Sequence, residues 1–148
     1  MIKILFVCHG NICRSPMAEF IMRELARKQG LSEALTVASA ATSTEELGNP
    51  VYPPARKKLA AHGIRCDGKR AVQMKRADYA HYDYILYMDA WNLRNILRIT
   101  GGDPENKVHP LLADHEIADP WYTGDFDRAY ADIEAGCRAW LARLFPDR

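Results

Sequence analysis

The sequence predicts an α/β fold: one domain over residues 1–148, with a parallel sheet covered by helices on both faces. Three observations carry that expectation. Short apolar runs alternate along the chain with segments of helical period. The first run, Ile2 to Val7, is apolar but for Lys3, as expected of a strand buried on both faces. It then stops at Cys8-His9-Gly10-Asn11-Ile12-Cys13-Arg14-Ser15, a turn-forming segment that opens directly into a helical pattern.

In chain order, Ile2 to Val7 is the first strand. Ser15 is expected to cap the first helix and Pro16 to occupy its first turn. Met17, Phe20, Ile21 and Leu25 give that helix an apolar face, and Gly30 ends it. Leu35 to Ser39 reads as the second strand. Gly48, Pro50, Pro53 and Pro54 mark a loop, followed by a short helix from Ala55 to His62 that Gly63 stops. Tyr84 to Met88 is the third strand, and Asp89 caps a helix running through Ile99. Lys107 to Pro110 suits a short edge strand. Asp125 to Phe145 is the last helix, with Ala129, Tyr130, Ile133, Cys137, Trp140, Leu141 and Leu144 at helical spacing.

Composition excludes several function classes. Hydrophobic residues at 48% and charged residues at 26% describe a chain able to bury a full core. A formal net charge of +1 gives no bulk attraction to nucleic acid or to an anionic membrane, so any anion must be bound locally. No apolar stretch reaches the roughly 18 residues that span a bilayer. Met1 to Val7 is too short and lacks the cleavage pattern of an export signal, so a cytoplasmic location is expected. Four cysteines without a Cys-x-x-Cys pair predict free thiols and no metal site. His109, Asp114, His115 and Asp119 lack metal-ligand spacing and read as loop residues. Lys57, Lys58, Lys69 and Arg70 read as a solvated basic face.

The segment from Cys8 to Ser15 carries the chemistry. Gly10 permits close approach of backbone to an anion, and Asn11 tolerates left-handed torsions. Successive N–H groups can then converge on the anion, helped by the positive end of the following helix. Arg14 adds a planar fork matched to two phosphate oxygens. Such a field favours the thiolate form of a cysteine, and Ser15 is placed to donate to the sulfur. The segment is therefore a phosphate-binding loop holding its own nucleophile. Alone, Cys8 would pass for a buried strand-end cysteine; its companions decide otherwise.

Expelling an ester oxygen from phosphorus requires a proton donor. Nineteen acidic residues are available, and spacing alone does not choose among them. Asp119 stands out in Asp119-Pro120-Trp121-Tyr122, an aromatic-flanked turn, although Asp-Pro is commonly just a turn. Trp121 and Tyr122 offer rings to stack on an aryl phosphate or to pack internally.

Val7-Cys8-His9-Gly10-Asn11-Ile12-Cys13-Arg14-Ser15-Pro16-Met17-Ala18-Glu19 resembles the active-site signature of the low-molecular-weight protein tyrosine phosphatases. The likeness extends through Ser39, Tyr82 to Asp89, and Asp119 to Tyr122. It implies a four-stranded parallel sheet and no cofactor. It also implies a cysteinyl-phosphate intermediate on Cys8, phosphate held by Arg14 and the loop from His9 to Ser15, and Asp119 as general acid and base. Tyr122 and Trp121 would flank a phosphotyrosine-containing protein substrate, and Ile12 at its loop position favours aryl phosphate over phosphoarginine. Ser39 resembles the serine that supports Asn11. Cys13 would trap oxidised Cys8 as a disulfide, and Cys66 and Cys137 would be structural. Lys69 stands where many relatives have a supporting histidine, and Ala41 where bacterial relatives often have glycine. The expected assembly is a monomer or weak dimer.

Two other readings use the same residues. Arsenate reduction on this fold needs a further cysteine pair on a mobile segment, for which Cys66 and Cys137 are poorly spaced. A non-catalytic phosphopeptide-binding module would not need both Cys8 and Asp119.

Overall fold

The computed structural model describes residues 1–147. Four strands form one sheet in the order β2-β1-β3-β4, all parallel: β1 Ile2–Cys8, β2 Leu35–Ala41, β3 Tyr84–Tyr87 and β4 Val108–Pro110. The helices are α1 Arg14–Lys28, α2 Pro53–Ala61, α3 Asp78–His81, α4 Ala90–Thr100, α5 Pro120–Thr123 and α6 Phe126–Leu144.

The continuous apolar run of β1 is explained by its central place. Ile4 and Phe6 face a core shared with Met17 and Ile21 of α1 and with Ile133 and Leu141 of α6. Leu5 and Val7 face the opposite side, with Ile85 and with Ile96 of α4. Each of these side chains is at most 2% exposed, and burying one contributes about 1.5–3 kcal/mol. Gly136 of α6 lets that helix press onto Leu111, since a Cβ there would sit 2.8 Å from the Leu111 carbonyl oxygen.

The strand order reverses at β1, whose partners on either side are β2 and β3. A crevice therefore opens at its C-terminal end, where an open parallel sheet places its ligand. Cys8 is the last residue of β1, so the sheet delivers it there.

Several boundaries and one cap differ from expectation. The β2 strand runs on to Ala41 because Ala41 donates to the Val72 carbonyl at 2.7 Å and accepts from Met74 at 2.8 Å. The α2 helix starts two residues earlier than Ala55, as Pro53 and Pro54 fit a first turn that needs no N–H. The single turns α3 and α5 are too short to leave a periodic signal. Ser15 does not cap α1: it lies within the first turn, and its hydroxyl turns back to the sulfur of Cys8 at 3.0 Å. Asp89 caps α4 as expected, accepting from Asn92 at 2.9 Å. Among the described residues no helix is long and apolar enough to cross a membrane.

Candidate active site

The loop between β1 and α1 closes around the Cys8 sulfur. Asn11 donates its backbone N–H to Sγ at 3.3 Å and Ser15 donates its own at 3.4 Å. Asn11 reaches this position with φ of 59°, the left-handed conformation that asparagine tolerates better than most residues. Its side chain fixes the turn, the amide donating to Ser15 Oγ at 2.7 Å and to Ser39 Oγ at 3.0 Å, while its carbonyl oxygen accepts from Val72 N–H at 3.0 Å. Gly10 does not adopt a positive φ. A Cβ on it would meet Cγ of Glu46 at 3.3 Å, so its bareness makes room for a side chain of the loop after β2.

Arg14 enters beneath the cleft with its side chain 2% exposed. Nη1 donates to Asp89 Oδ2 at 2.6 Å and to the Ile117 carbonyl at 2.8 Å, and Nη2 reaches Asp119 Oδ2 at 3.4 Å. Burial works against its charge, but Cys8, Asp119 and Asp89 outweigh burial and raise its pKa. Asp119 precedes α5 and accepts the Trp121 N–H at 3.0 Å, which aims the other oxygen at Arg14.

These groups share a cleft of about 110 Å³. Cys8, Ile12, Cys13 and Arg14 form its floor, and Glu45, Glu46, Trp121 and Tyr122 its rim. Tyr122 is 80% exposed, and the Trp121 ring packs against that of Tyr52 at 4.7 Å with the two planes tilted by 54°. Cys13 is buried, and burial together with the nearby Cys8 and Asp119 pushes its thiol well above the ordinary range. A roomier groove of about 500 Å³ lies over Phe20, Arg27 and Arg65, open to solvent and without a nucleophile. Its arginines, Arg23, Arg27 and Arg65, are already paired with Glu19, Glu24 and Asp67.

A family model described as low molecular weight phosphotyrosine protein phosphatase matches residues 3–148. The chain belongs to that family. It is 39% identical over 150 residues to the low molecular weight protein-tyrosine-phosphatase YfkJ of Bacillus subtilis, covering 97% of this chain and 96% of that one. The crystal structure of YfkJ superposes with a TM-score of 0.94 over 100% of this chain and 97% of that chain, at 37% identity. The human low molecular weight phosphotyrosine protein phosphatase is 40% identical over 150 residues, with 95% and 94% of the two chains covered. Wzb of Vibrio vulnificus, solved in complex with benzylphosphonate, superposes with a TM-score of 0.84 at 27% identity, over 96% and 98% of the two chains.

In this member of the phosphatase family, the fold brings together every residue expected at the site: Cys8 to Ser15, Ser39, Asp119, Trp121 and Tyr122. The solvated basic face is corrected in part. Lys69 has a side chain only 13% exposed and donates to the Ser39 carbonyl at 3.0 Å, facing Glu19 at 3.6 Å. Lys58 pairs with Asp127 at 2.6 Å. Of the dispersed histidines, His115 contacts Asp132 at 3.2 Å and His109 the Asn106 carbonyl at 2.9 Å. Cys66 and Cys137 are buried away from the cleft.

Sequence reasoning missed Asp89 as the partner of Arg14, Glu19 beneath the loop, and Glu45 and Glu46 at the rim; Lys69 it placed both on a solvated face and, by resemblance, where relatives have a supporting histidine. Asp89 carried a helix-cap signal that accounted for it fully. Glu19 sits inside the signature segment, where its neighbours drew the inference.

Proposed function

We propose that this chain hydrolyses protein phosphotyrosine through a cysteinyl-phosphate intermediate on Cys8. The observation that carries the proposal is the convergence of two backbone N–H groups and the Ser15 hydroxyl on the Cys8 sulfur, with Arg14 and Asp119 in the same cleft. In the first step Sγ forms a bond to phosphorus as the phosphorus–oxygen ester bond breaks. Asp119 gives its proton to the departing tyrosine oxygen. In the second step a water attacks phosphorus, the sulfur–phosphorus bond breaks, and the water's proton returns to Asp119. The loop N–H groups and Arg14 hold the non-bridging oxygens through both steps.

The aryl preference is supported by Ile12 in the floor and by Trp121 and Tyr122 at the rim, which form apolar walls where the tyrosine ring must lie. The benzylphosphonate bound by the Vibrio Wzb is an aryl mimic of the same shape and supports the same reading. His9, Gly10 and Cys13 complete the loop around the phosphate, and Ser39 supports it through Asn11. On this reading the chain acts on a phosphotyrosine-containing protein as a monomer or weak dimer. Four free thiols suit a reducing, cytoplasmic setting. Cys13, a buried thiol lining the same cleft as Cys8, supports the reading that it traps an oxidised Cys8 as a disulfide.

The test is a panel of phosphotyrosine, phosphoarginine and phosphoserine peptides, run on the natural chain and on Cys8→Ser. Turnover of phosphotyrosine alone, abolished in Cys8→Ser, is the expected result. Equal rates on phosphoserine would remove the aryl assignment, and turnover surviving in Cys8→Ser would remove the nucleophile.

A further inference from the structure

One residue outside the cleft joins its floor to its rim. Tyr52 donates its backbone N–H to the Ile12 carbonyl at 2.8 Å, and its ring packs against that of Trp121 at 4.7 Å. Ile12 and Trp121 both line the cleft and Tyr52 does not, so Tyr52 backs these two apolar surfaces from outside. Phe126, the first residue of α6, completes the cluster with its ring 6.1 Å from that of Tyr52. The loop residues Ile12 and Cys13 are the buried members beside them.

Tyr52 is rigidly mounted and Trp121 is not. The proline after Tyr52 pushes its backbone out of the helical region, in keeping with its ψ of 132°. Val51 on one side is buried in the main core, and the bond to Ile12 holds Tyr52 itself to the loop. Trp121, by contrast, belongs to a single turn of four residues and is 49% exposed. A single turn has little stability of its own, and an exposed side chain left alone changes rotamer within nanoseconds. The bond from the Trp121 N–H to Asp119 holds the backbone of the turn but leaves the indole torsions open. Packing against Tyr52 closes them.

We infer that Tyr52 is a positioning residue for aryl recognition: it orders the Trp121 ring as the wall against which the ring of phosphotyrosine lies. This rests on the reading of the cleft as a phosphotyrosine site. A wall ordered before the substrate arrives spares binding the entropy cost of immobilising it. The effect is confined to the ring of the substrate, because the phosphate is held by loop N–H groups and Arg14. Tyr52 reaches the loop carbonyl through its own backbone N–H, which every residue but proline supplies. Removing the Tyr52 ring therefore leaves that bond in place while freeing the indole.

The experiment measures the calorimetric affinity of the full chain for benzylphosphonate and for inorganic phosphate. Tyr52→Phe keeps the ring and is expected to match the natural chain. Tyr52→Val removes the ring, and a β-branched residue suits the extended backbone there. It is expected to weaken benzylphosphonate about two- to tenfold, the usual contribution of one aromatic pair, and phosphate by less than about twofold. Trp121→Ala is expected to weaken benzylphosphonate at least as much. Tyr52→Val added to Trp121→Ala should change nothing further, because the group through which Tyr52 acts is gone. With a phosphotyrosine peptide, Tyr52→Val should raise KM in the same proportion while kcat changes by less than about twofold. Natural benzylphosphonate affinity in a folded Tyr52→Val chain would overturn the proposal. So would an equal weakening of phosphate, or a further loss in the Trp121→Ala background. Should Tyr52→Val lose thermal stability, Tyr52→Leu keeps apolar volume without the ring and is held to the same outcomes. Binding needs no turnover, so failure here is distinct from failure of the phosphatase reading, which Cys8→Ser decides.

Discussion

Arg14 donates to the carboxylate of Asp89 across 2.6 Å, although 75 residues separate the two along the chain. This contact joins the phosphate-binding loop after β1 to the cap of α4 after β3. It fixes the plane of the guanidinium, which under the proposed function is the plane that meets two phosphate oxygens. Asp89 thus serves twice, one oxygen capping a helix and the other steering Arg14.

Asp89→Asn separates these duties. Asparagine caps helices as well as aspartate does, so α4 and the fold should persist. Without the charge Arg14 is held less firmly, and kcat/KM for an aryl phosphate is expected to fall about 10²-fold, the usual cost of a small misplacement. Steady-state kinetics beside a thermal melt check this. Undiminished kcat/KM in a folded variant would show that Ile117 and Asp119 orient Arg14 unaided.

Asp119→Asn tests the proton donor. The Trp121 N–H bond survives the substitution, so α5 is preserved. The expected loss in kcat is about 10²–10⁴-fold on a phosphotyrosine peptide. The loss should be much smaller on p-nitrophenyl phosphate, whose leaving group needs no proton. Equal losses on the two substrates would count against general-acid catalysis.

Gly136→Ala tests the approach of α6 to Leu111. Alanine favours a helix interior over glycine by about 1 kcal/mol. Its Cβ would meet the Leu111 carbonyl oxygen and Cγ at 2.8 Å, and one of those atoms is backbone. Overpacking of this kind costs about 1–3 kcal/mol, so the clash is expected to win. A lower urea midpoint with unchanged slope is the result expected; a raised midpoint would mean that Leu111 yields freely.

Stability should fall in alkali. Cys137 and Cys13 are buried, and burial pushes both thiols above their ordinary range. Unfolding releases them to lose protons from about pH 8.5, so above that pH the unfolded chain binds fewer protons than the folded one. Each thiol then costs up to about 1.4 kcal/mol per pH unit. Urea midpoints are expected to show no contribution from these thiols between pH 6 and 8 and to decline above about pH 8.5. A Cys137→Ala chain should decline less steeply; an identical decline would remove Cys137 from this account.

Much of the fold was legible in the sequence because its signals are local. The apolar run of β1, the Asp89 cap and the helical spacing of α6 each depend on neighbours within a few residues. Ser15 misled for the same reason: its position before Pro16 fits a cap, but the sulfur seven residues back is the nearer claim on its hydroxyl. Lys69 reads two ways, as surface because charge lies beside charge on the chain and, by resemblance alone, as the residue in place of a supporting histidine; nothing local reports that the chain folds it under a strand.

By itself the sequence determined the reactive segment. Cys8, Asn11, Arg14 and Ser15 lie within one strand–loop–helix turn, and a contiguous turn takes its shape largely from its own torsions. Of the carboxylates beside it, the family resemblance had implied Asp119, and tertiary structure alone added Asp89 and Glu19. Asp89 and Asp119 arrive from the ends of other elements, and Glu19 meets Lys69 only because α1 and the segment after α2 converge beneath Ser39. Hydrogen-bond and ion-pair partners are selected by distances of about 3 Å, and spacing along a chain carries no such distance once the partners lie on different elements.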